Sequence, residues 1–154
     1  MPALKRILLV EDCEKDIELT LAALEECHLG NEVAVVRDGA EALDYLNHRG
    51  PFAGQDNGRP VVVLLDVKLP GIDGLEVLRR IRADPDLQRL PVVMLTSSRE
   101  EQDLVSSYQL GANAYVLKPV DFQQFVDSVK RLGFFWGILN EPPPSGGSET
   151  PPPN

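Results

Sequence analysis

Five short apolar runs, each followed by a helical pattern, constrain the fold of this chain more than any other feature of its sequence. Three of the runs are continuous and rich in branched residues, at positions 7–10, 61–65 and 92–95. A continuous apolar run indicates a strand that is covered on both faces, as in a parallel sheet. Two further runs lie at 33–36 and 114–117, and we expect the former at an edge. The alternation predicts a doubly wound α/β domain with right-handed crossovers.

Apolar residues at helical spacing fill the segments between these runs. Each stripe predicts one helix, and the fourth stripe is weak whereas the fifth is strong. In chain order, the predicted helix faces are Ile17, Leu21 and Leu24; Ala40, Leu43 and Leu46; Leu75, Leu78 and Ile81; Leu104, Val105 and Tyr108; and Phe122, Phe125, Val126, Val129 and Leu132.

The last fifteen residues differ in composition from the rest of the chain. Positions 140–154 hold six prolines and two glycines, and they carry no apolar side chain beyond the prolines. Such a segment cannot bury enough apolar surface to fold alone. We therefore expect one folded domain over residues 4–139 and a proline-rich, disordered tail over 140–154.

The charge and composition of the chain restrict its partners. Lys and Arg total 15 and Asp and Glu total 24, which gives a net charge of −9 at pH 7. Sequence-independent nucleic-acid binding rests on neutralising phosphates, so we do not expect it here. The apolar runs are too short for a membrane span or a signal peptide, and two cysteines make neither a disulfide framework nor a zinc site. The sequence predicts a cytoplasmic protein that binds neither nucleic acid nor membrane.

A polar residue directly follows the first, third, fourth and fifth predicted strands. Glu11 and Asp12 follow the first run, Asp66 the third, Thr96 the fourth and Lys118 the fifth. In an open α/β sheet, ligands bind at the carboxyl ends of the strands, where the strand order reverses. We therefore expect these five side chains to meet in one crevice, since chance rarely places such a set at successive strand ends.

Three converging carboxylates predict a cation at this crevice. Carboxylates in contact raise one another's pKa unless a cation lies between them. A cluster of oxygen ligands with open positions suits Mg²⁺, and the metal together with Lys118 would neutralise charge on a phosphoryl group. A carboxylate can itself act as the nucleophile and become an aspartyl phosphate. No histidine base and no P-loop motif accompanies the set, which argues against Ser/His/Asp hydrolysis and P-loop chemistry.

Four motifs in order along the chain carry a family resemblance. They are Leu-Leu-Val-Glu-Asp at 8–12, Val-Leu-Leu-Asp-Val-Lys-Leu-Pro-Gly-Ile-Asp-Gly at 63–74, Pro-Val-Val-Met-Leu-Thr-Ser at 91–97 and Gly-Ala-Asn-Ala-Tyr-Val-Leu-Lys-Pro at 111–119. Together they resemble the receiver domain of two-component response regulators. The resemblance implies a flavodoxin-like receiver fold with five parallel strands in the order 2-1-3-4-5, and a histidine kinase as the phosphodonor.

The resemblance assigns the acceptor and metal-binding roles. Asp66 is expected to accept the phosphoryl group. Glu11 and Asp12 are expected to hold Mg²⁺ together with Asp66, and Asp12 to be the direct ligand from the first strand. The backbone carbonyl of Lys68, two residues after the acceptor, is expected to complete the protein's share of the coordination shell.

The resemblance also assigns a conformational switch. The Thr96 hydroxyl is expected to turn toward the phosphoryl group, and Lys118 to pair with that group. Tyr115 is expected to swing inward when Thr96 moves. The Lys118-Pro119 bond is expected to be cis, an isomer that proline alone makes common.

Features outside the site indicate a subfamily and an assembly. No output domain is expected after the fifth helix, and the segments 106–108 and 134–136 resemble response regulators that partner bacterial phytochrome histidine kinases. Phe134, Phe135 and Trp136 are consecutive, so on a helix they span about 200°. At least one of them should face outward, which predicts a homodimer through the C-terminal half.

Two other functions compete with the phospho-receiver. A phosphatase of the haloacid dehalogenase type also uses a nucleophilic aspartate, but that family places a second acid two residues later, where this chain has Lys68. A pseudo-receiver would bind partners without phosphorylation, although the complete set of polar residues argues against it. Incubation with acetyl phosphate and Mg²⁺ distinguishes the three functions. A phospho-receiver would form a stable phosphoprotein, a phosphatase would turn the substrate over, and a pseudo-receiver would not react.

Overall fold

One parallel sheet forms the centre of the molecule. The computed structural model describes residues 7–26, 33–54 and 59–129. Within them, five strands pair in the order β2-β1-β3-β4-β5, which confirms the predicted fold class, the strand order and the edge position of the second strand. The strands are β1 Ile7–Val10, β2 Val33–Val36, β3 Val62–Asp66, β4 Val92–Thr96 and β5 Ala114–Leu117.

Within the described ranges, five α-helices cover the sheet on both sides. They are α1 Glu14–Glu26, α2 Gly39–Asn47, α3 Gly74–Ala83, α4 Arg99–Ser107 and α5 Phe122–Val129, with a short 3₁₀ turn at Gly50–Phe52. Leu8 and Val10 of β1 belong to a core that includes residues of α2, α3 and α4. Ile7 and Leu9 point to the opposite face, into a core with α1 and α5. Because the central strands are buried on both faces, their sequences are continuous apolar runs.

Helix α4 is less buried than its apolar stripe predicts. Val105 is buried and faces the sheet, but Leu104 and Tyr108 are each 55% exposed. Residues 104 and 108 lie one turn apart on one face, and residue 105 lies about 100° away from that face. The helix can therefore seat only one of these faces on the sheet, and the sequence does not indicate which.

The third and fourth strands end one residue later than predicted. Strand β3 includes Asp66 and β4 includes Thr96, so the backbone of both residues is fixed by sheet pairing. The chain after β3 then turns back tightly into α3. A Cβ atom at Gly74 would lie 2.0 Å from the Asp66 carbonyl oxygen, so only glycine fits this approach, and Asp73 caps the helix by accepting from the Glu76 N–H.

Several predictions fall on residues outside the described part of the chain. The tail at 140–154 and the three aromatic residues at 134–136 lie there, as does the end of the predicted domain at residue 139. The domain boundaries therefore stay predictions. None of the helices in the described ranges has the length and apolarity needed to cross a bilayer.

Candidate functional site

The sheet register brings the predicted polar residues to one edge. Val10 of β1 lies beside Leu65 of β3, so Glu11 and Asp66 follow at the same level. Asp66 lies beside Leu95 of β4, and Thr96 lies beside Leu117 of β5. Lys118 comes next, and its backbone N–H donates to the Thr96 carbonyl at 2.7 Å.

Three carboxylates form a compact cluster at this edge. One oxygen each from Glu11, Asp12 and Asp66 lies within 4.8 Å of the other two. Glu11 is fully buried and Asp66 is 4% exposed, whereas Asp12 is exposed. The donors are all oxygen atoms, and the exposed side of the cluster leaves room for water and a further ligand. This donor set fits Mg²⁺, which prefers oxygen ligands and keeps part of its hydration shell.

The ammonium group of Lys118 joins the cluster from β5. Its Nζ lies 3.1 Å from Asp66 Oδ1 and 3.2 Å from Glu11 Oε1. A third carboxylate, Asp16 Oδ2 in the first turn of α1, lies 3.0 Å away. The Lys118-Pro119 bond is cis, as expected. Burial alone would lower the pKa of Lys118, but the hydrogen bond to Asp16 and the charges of Asp66 and Glu11 hold it above its usual value.

Burial changes the protonation of the two inner carboxyl groups. It raises the pKa of Glu11 to about 7, and the charge of Asp66 acts in the same direction. Burial also raises the pKa of Asp66, while the charge of Lys118 and a hydrogen bond with Glu11 oppose that shift. Without a metal ion, Glu11 therefore carries a proton at mildly acidic pH and shares it with Asp66. A divalent cation would displace that proton.

Thr96 is positioned beside this cluster with its hydroxyl unused. The residue is fully buried, and within the described residues its Oγ1 has no hydrogen-bond partner. A buried hydroxyl without a partner costs free energy, so such groups are uncommon in native proteins. Tyr115, two strand positions before Leu117, is half-buried and packs against the core on the α2, α3 and α4 side.

The two loops beside Asp66 are tied to α4 by one carboxylate. Glu101 Oε1 accepts from the Ser97 N–H at 2.7 Å and from the Ser97 hydroxyl at 3.1 Å. Its other oxygen lies 3.8 Å from the Lys68 ammonium, and the Lys68 backbone also hydrogen-bonds Asp66. Lys68 thus lies next to the acceptor, as predicted, and its side chain is turned toward α4.

Sequence reasoning missed Asp16 and Glu101. Asp16 is one of several charged residues in the first turns of α1, and nothing in the sequence distinguishes the one that faces Lys118. Glu101 stands three residues after the helix cap Ser98, a spacing typical of a capping box. That spacing predicts a capping role, and the Ser98 hydroxyl indeed accepts from the Glu101 N–H at 3.0 Å, but it does not predict contacts with two loops.

A cavity opens beside Lys118, whose ammonium group contacts the cluster. Its volume is about 430 Å³, and it lies between α1 and the loops after β4 and β5. Charged, polar and apolar side chains share its wall. The lining residues are Lys15, Asp16, Leu19, Ser97, Lys118 and Pro119.

Comparisons with known proteins agree on one family. The profile of the response regulator receiver domain matches residues 7–130. Response regulator Rcp1 of Synechocystis sp. is 39% identical over 132 residues, which is 86% of this chain and 88% of Rcp1. The structure of the bacteriophytochrome response regulator RtBRR is similar with a TM-score of 0.82 and 62% identity, over 92% of this chain and 85% of that chain.

Two further structures show related proteins in defined states. The phosphorylated cyanobacterial phytochrome response regulator RcpA has a TM-score of 0.69 and 44% identity, over 87% of this chain and 94% of that chain. The Mn²⁺-bound form of Rcp1 has a TM-score of 0.66 and 38% identity, over 84% of this chain and 92% of that chain.

The raised pKa of Glu11 predicts that the metal-free protein loses stability as the pH rises. In the unfolded chain Glu11 loses its proton near pH 4.5, but in the folded chain it keeps the proton up to about pH 7. The folded state therefore binds more protons across this interval, so the free energy of unfolding falls as the pH increases from 4.5 to 7. Urea unfolding in EDTA should show this slope, and Glu11→Gln should reduce it. An equal slope in both proteins would contradict the assignment.

Proposed function

Because this chain belongs to the response regulator receiver domain family, we propose that it accepts a phosphoryl group on Asp66 from a histidine kinase and changes its partner binding as a result. The chain is a receiver of two-component signalling, close to the phytochrome response regulators. The observation that carries the proposal is the surroundings of Asp66, which combine two further carboxylates, one ammonium group and a buried hydroxyl that pairs with none of the described residues.

Mg²⁺ is the proposed cofactor, held by Asp12, Glu11 and Asp66 with the carbonyl of Lys68. When bound, the ion would neutralise negative charge on the phosphoryl oxygens. Its proposed position rests on the three clustered carboxylates. The related Rcp1 has a structure with Mn²⁺ bound, and a receiver domain from a sensor histidine kinase has magnesium coordinated in its active-site cleft.

The chemistry proposed for Asp66 is nucleophilic. A carboxylate oxygen attacks the phosphorus of a phosphohistidine, a P–O bond forms, and the P–N bond breaks as the imidazole leaves. Lys118 already lies 3.1 Å from Asp66, so its ammonium can pair with a phosphoryl oxygen with little movement. Attack of water on the same phosphorus later restores the carboxylate and releases phosphate. The chain thus catalyses its own phosphorylation and dephosphorylation.

Thr96 and Tyr115 are proposed to couple phosphorylation of Asp66 to a conformational change at the surface. The Thr96 hydroxyl, which pairs with no group in the described part of the chain, gains an acceptor when a phosphoryl oxygen arrives, and this favours a rotamer turned toward Asp66. The space that this hydroxyl leaves is then available to the Tyr115 ring. The surface formed by α4, β5 and α5 changes with it, and a partner that prefers one form can read the difference.

A bacterial phytochrome kinase is the proposed donor. The support is the similarity to RtBRR and to RcpA, which are named as phytochrome response regulators and of which RcpA is known in a phosphorylated form. The cavity beside Lys118, whose ammonium lies 3.1 Å from Asp66, is the proposed approach for the donor histidine. A cytoplasmic location, predicted from the sequence, belongs to the same proposal. Family membership also removes the haloacid dehalogenase alternative.

Phosphorylation should require Asp66 and Mg²⁺. With acetyl phosphate and Mg²⁺, the wild-type chain should gain one phosphoryl group that is lost under conditions that hydrolyse acyl phosphates. Asp66→Asn should show no such labelling, because the amide is not a nucleophile. Asp103→Asn, which changes an exposed aspartate of α4, is the matched control and should be labelled normally.

Intact-mass measurement, with and without EDTA, detects the added phosphoryl group. Undiminished labelling of Asp66→Asn would show that Asp66 is not the acceptor. Equal labelling in EDTA would remove the metal from the proposal. A wild-type chain that stays unlabelled by acetyl phosphate and by a histidine kinase would make the chain a pseudo-receiver.

Thr96→Ala should bind a phosphoryl mimic without transmitting the change. Beryllofluoride, which imitates a phosphoryl group on aspartate, should shift the NMR signals of the Tyr115 ring in the wild-type chain. In Thr96→Ala it should still bind, but the Tyr115 shift should be largely lost. Thr20→Ala replaces another buried threonine, in α1, and should respond like the wild type. A full Tyr115 response in Thr96→Ala would refute the coupling.

A homodimer through the C-terminal half is also part of the proposal. The three aromatic residues that suggest it, at 134–136, lie outside the described residues. Sedimentation of the full chain should show a dimer that is weakened in Phe135→Ala with Trp136→Ala. Leu19→Ala, which changes an exposed apolar residue of α1, should leave the dimer intact. A wild-type monomer at high micromolar concentration, phosphorylated or not, would exclude the dimer.

A further inference from the structure

We propose that Gln124 of α5 is the residue that positions Lys118 for the phosphoryl group. The inference rests on the proposed function of Asp66 and concerns a residue outside the polar set at the strand ends. Gln124 contacts neither the carboxylates nor the ammonium group in the structure. It acts on the backbone immediately before Lys118, so it is a positioning residue.

The side-chain amide of Gln124 binds both backbone groups of Leu117. The Leu117 N–H donates to Gln124 Oε1 at 2.5 Å, and Gln124 Nε2 donates to the Leu117 carbonyl at 2.8 Å. Leu117 is the last residue of β5, directly before Lys118. A primary amide offers one acceptor and one donor side by side, which is what a neighbouring peptide group would offer in a parallel ladder.

The position of β5 explains why this pairing is needed. Strand β5 pairs with β4 on one side and has no strand on the other side in the described sheet. The Lys118 N–H points to β4, where it donates to the Thr96 carbonyl. The backbone groups of the preceding residue point the opposite way, because successive peptide groups of a strand alternate in direction. Without Gln124, the N–H and carbonyl of Leu117 would face the unpaired edge.

Gln124 is itself held in the first turn of α5. Its backbone N–H donates to the capping side chain Asp121 Oδ1 at 2.7 Å, and the neighbouring Phe125 is fully buried in the core. The segment that carries Lys118 is therefore fixed from two sides, by the Thr96 carbonyl of β4 and by the Gln124 amide of α5. Both anchors are short hydrogen bonds at adjacent backbone positions.

A rigid backbone at Leu117 and Lys118 matters because the Lys118 ammonium must meet a phosphoryl group whose position is set by Asp66. Its ammonium group lies within 3.2 Å of Asp66 and of Glu11 and has to meet a phosphoryl oxygen nearby. Catalytic groups lose effect when their placement drifts by about 0.5 Å to 1 Å. The lysine side chain has several rotatable bonds between its backbone and its ammonium group, so the position of the ammonium depends on how firmly the backbone at Lys118 is held.

The chain offers a matched control at the adjacent position. Gln123 is the same residue type in the same helix turn, but it is exposed and its amide donates to Asp127 within the helix at 2.9 Å. Gln124→Met keeps the size of the side chain and removes both hydrogen bonds to Leu117. Gln123→Met makes the same chemical change without touching β5.

The experiment compares Mg²⁺ binding with binding of the phosphoryl mimic. Mg²⁺ is titrated alone, and beryllofluoride is titrated at saturating Mg²⁺, with each full-length chain. Gln124→Met should weaken beryllofluoride binding about fivefold to tenfold, the effect of one or two lost hydrogen bonds. Its Mg²⁺ affinity should stay within about twofold of the wild type, since Lys118 is not a metal ligand. Gln123→Met should match the wild type in both titrations.

A structural role alone would give a different pattern. It would lower the melting temperature of Gln124→Met while leaving both affinities unchanged, and that outcome overturns the inference, as does an equal loss in both titrations. If Gln124→Met does not fold, Gln124→Glu keeps the acceptor for the Leu117 N–H and removes the donor to its carbonyl. Because its second carboxylate oxygen faces the Leu117 carbonyl oxygen, it should weaken beryllofluoride binding alone, and unchanged binding would refute the proposal. Failure of the proposed function is seen separately, in a wild-type chain that does not bind beryllofluoride.

Discussion

The contact between one ammonium group and three buried or half-buried carboxylates is the interaction on which the carboxyl end of the sheet depends. Lys118 touches Asp66, Glu11 and Asp16, which belong to different elements of the fold. With Asp12 nearby, the negative charges outnumber this ammonium, so the cluster attracts a further cation. The same excess of negative charge that makes these carboxylates costly to bring together is what suits them to Mg²⁺ and then to a phosphoryl group.

The sheet and the central polar residues could be predicted because they follow from periodicity and topology. A buried parallel strand must be apolar throughout, so a charged residue marks its end almost unambiguously. That rule located Glu11 and Lys118, and it placed Asp66 and Thr96 one residue beyond strands that in fact include them. The strand order came from the family resemblance, because the apolar runs do not specify which strands are neighbours.

The contributions of the helices could not be predicted in the same way. Asp16, Glu101 and Gln124 are polar residues of amphipathic helices, where polar residues are common and most face water. Which of them reaches the site depends on the rotation of the helix about its axis and on the side-chain conformation, and the local sequence pattern predicts neither. The exposed faces of α4 show the same limit, since its apolar stripe allowed more than one way to seat the helix.

The single buried side chain of α4 within the described structure has an energetic consequence. Burying a valine such as Val105 contributes about 1.5–3 kcal/mol to stability. A hydrogen bond to a charged group contributes a similar amount, about 1.5–3 kcal/mol. The hydrogen bonds of Glu101 with Ser97 therefore compare with this apolar anchor in placing the helix, whereas the ion pair with the exposed Lys68 adds only about 0–1 kcal/mol. The position of α4 is consequently sensitive to ionic strength and to nearby charge, whereas the apolar contacts that hold the strands behind it are insensitive to both.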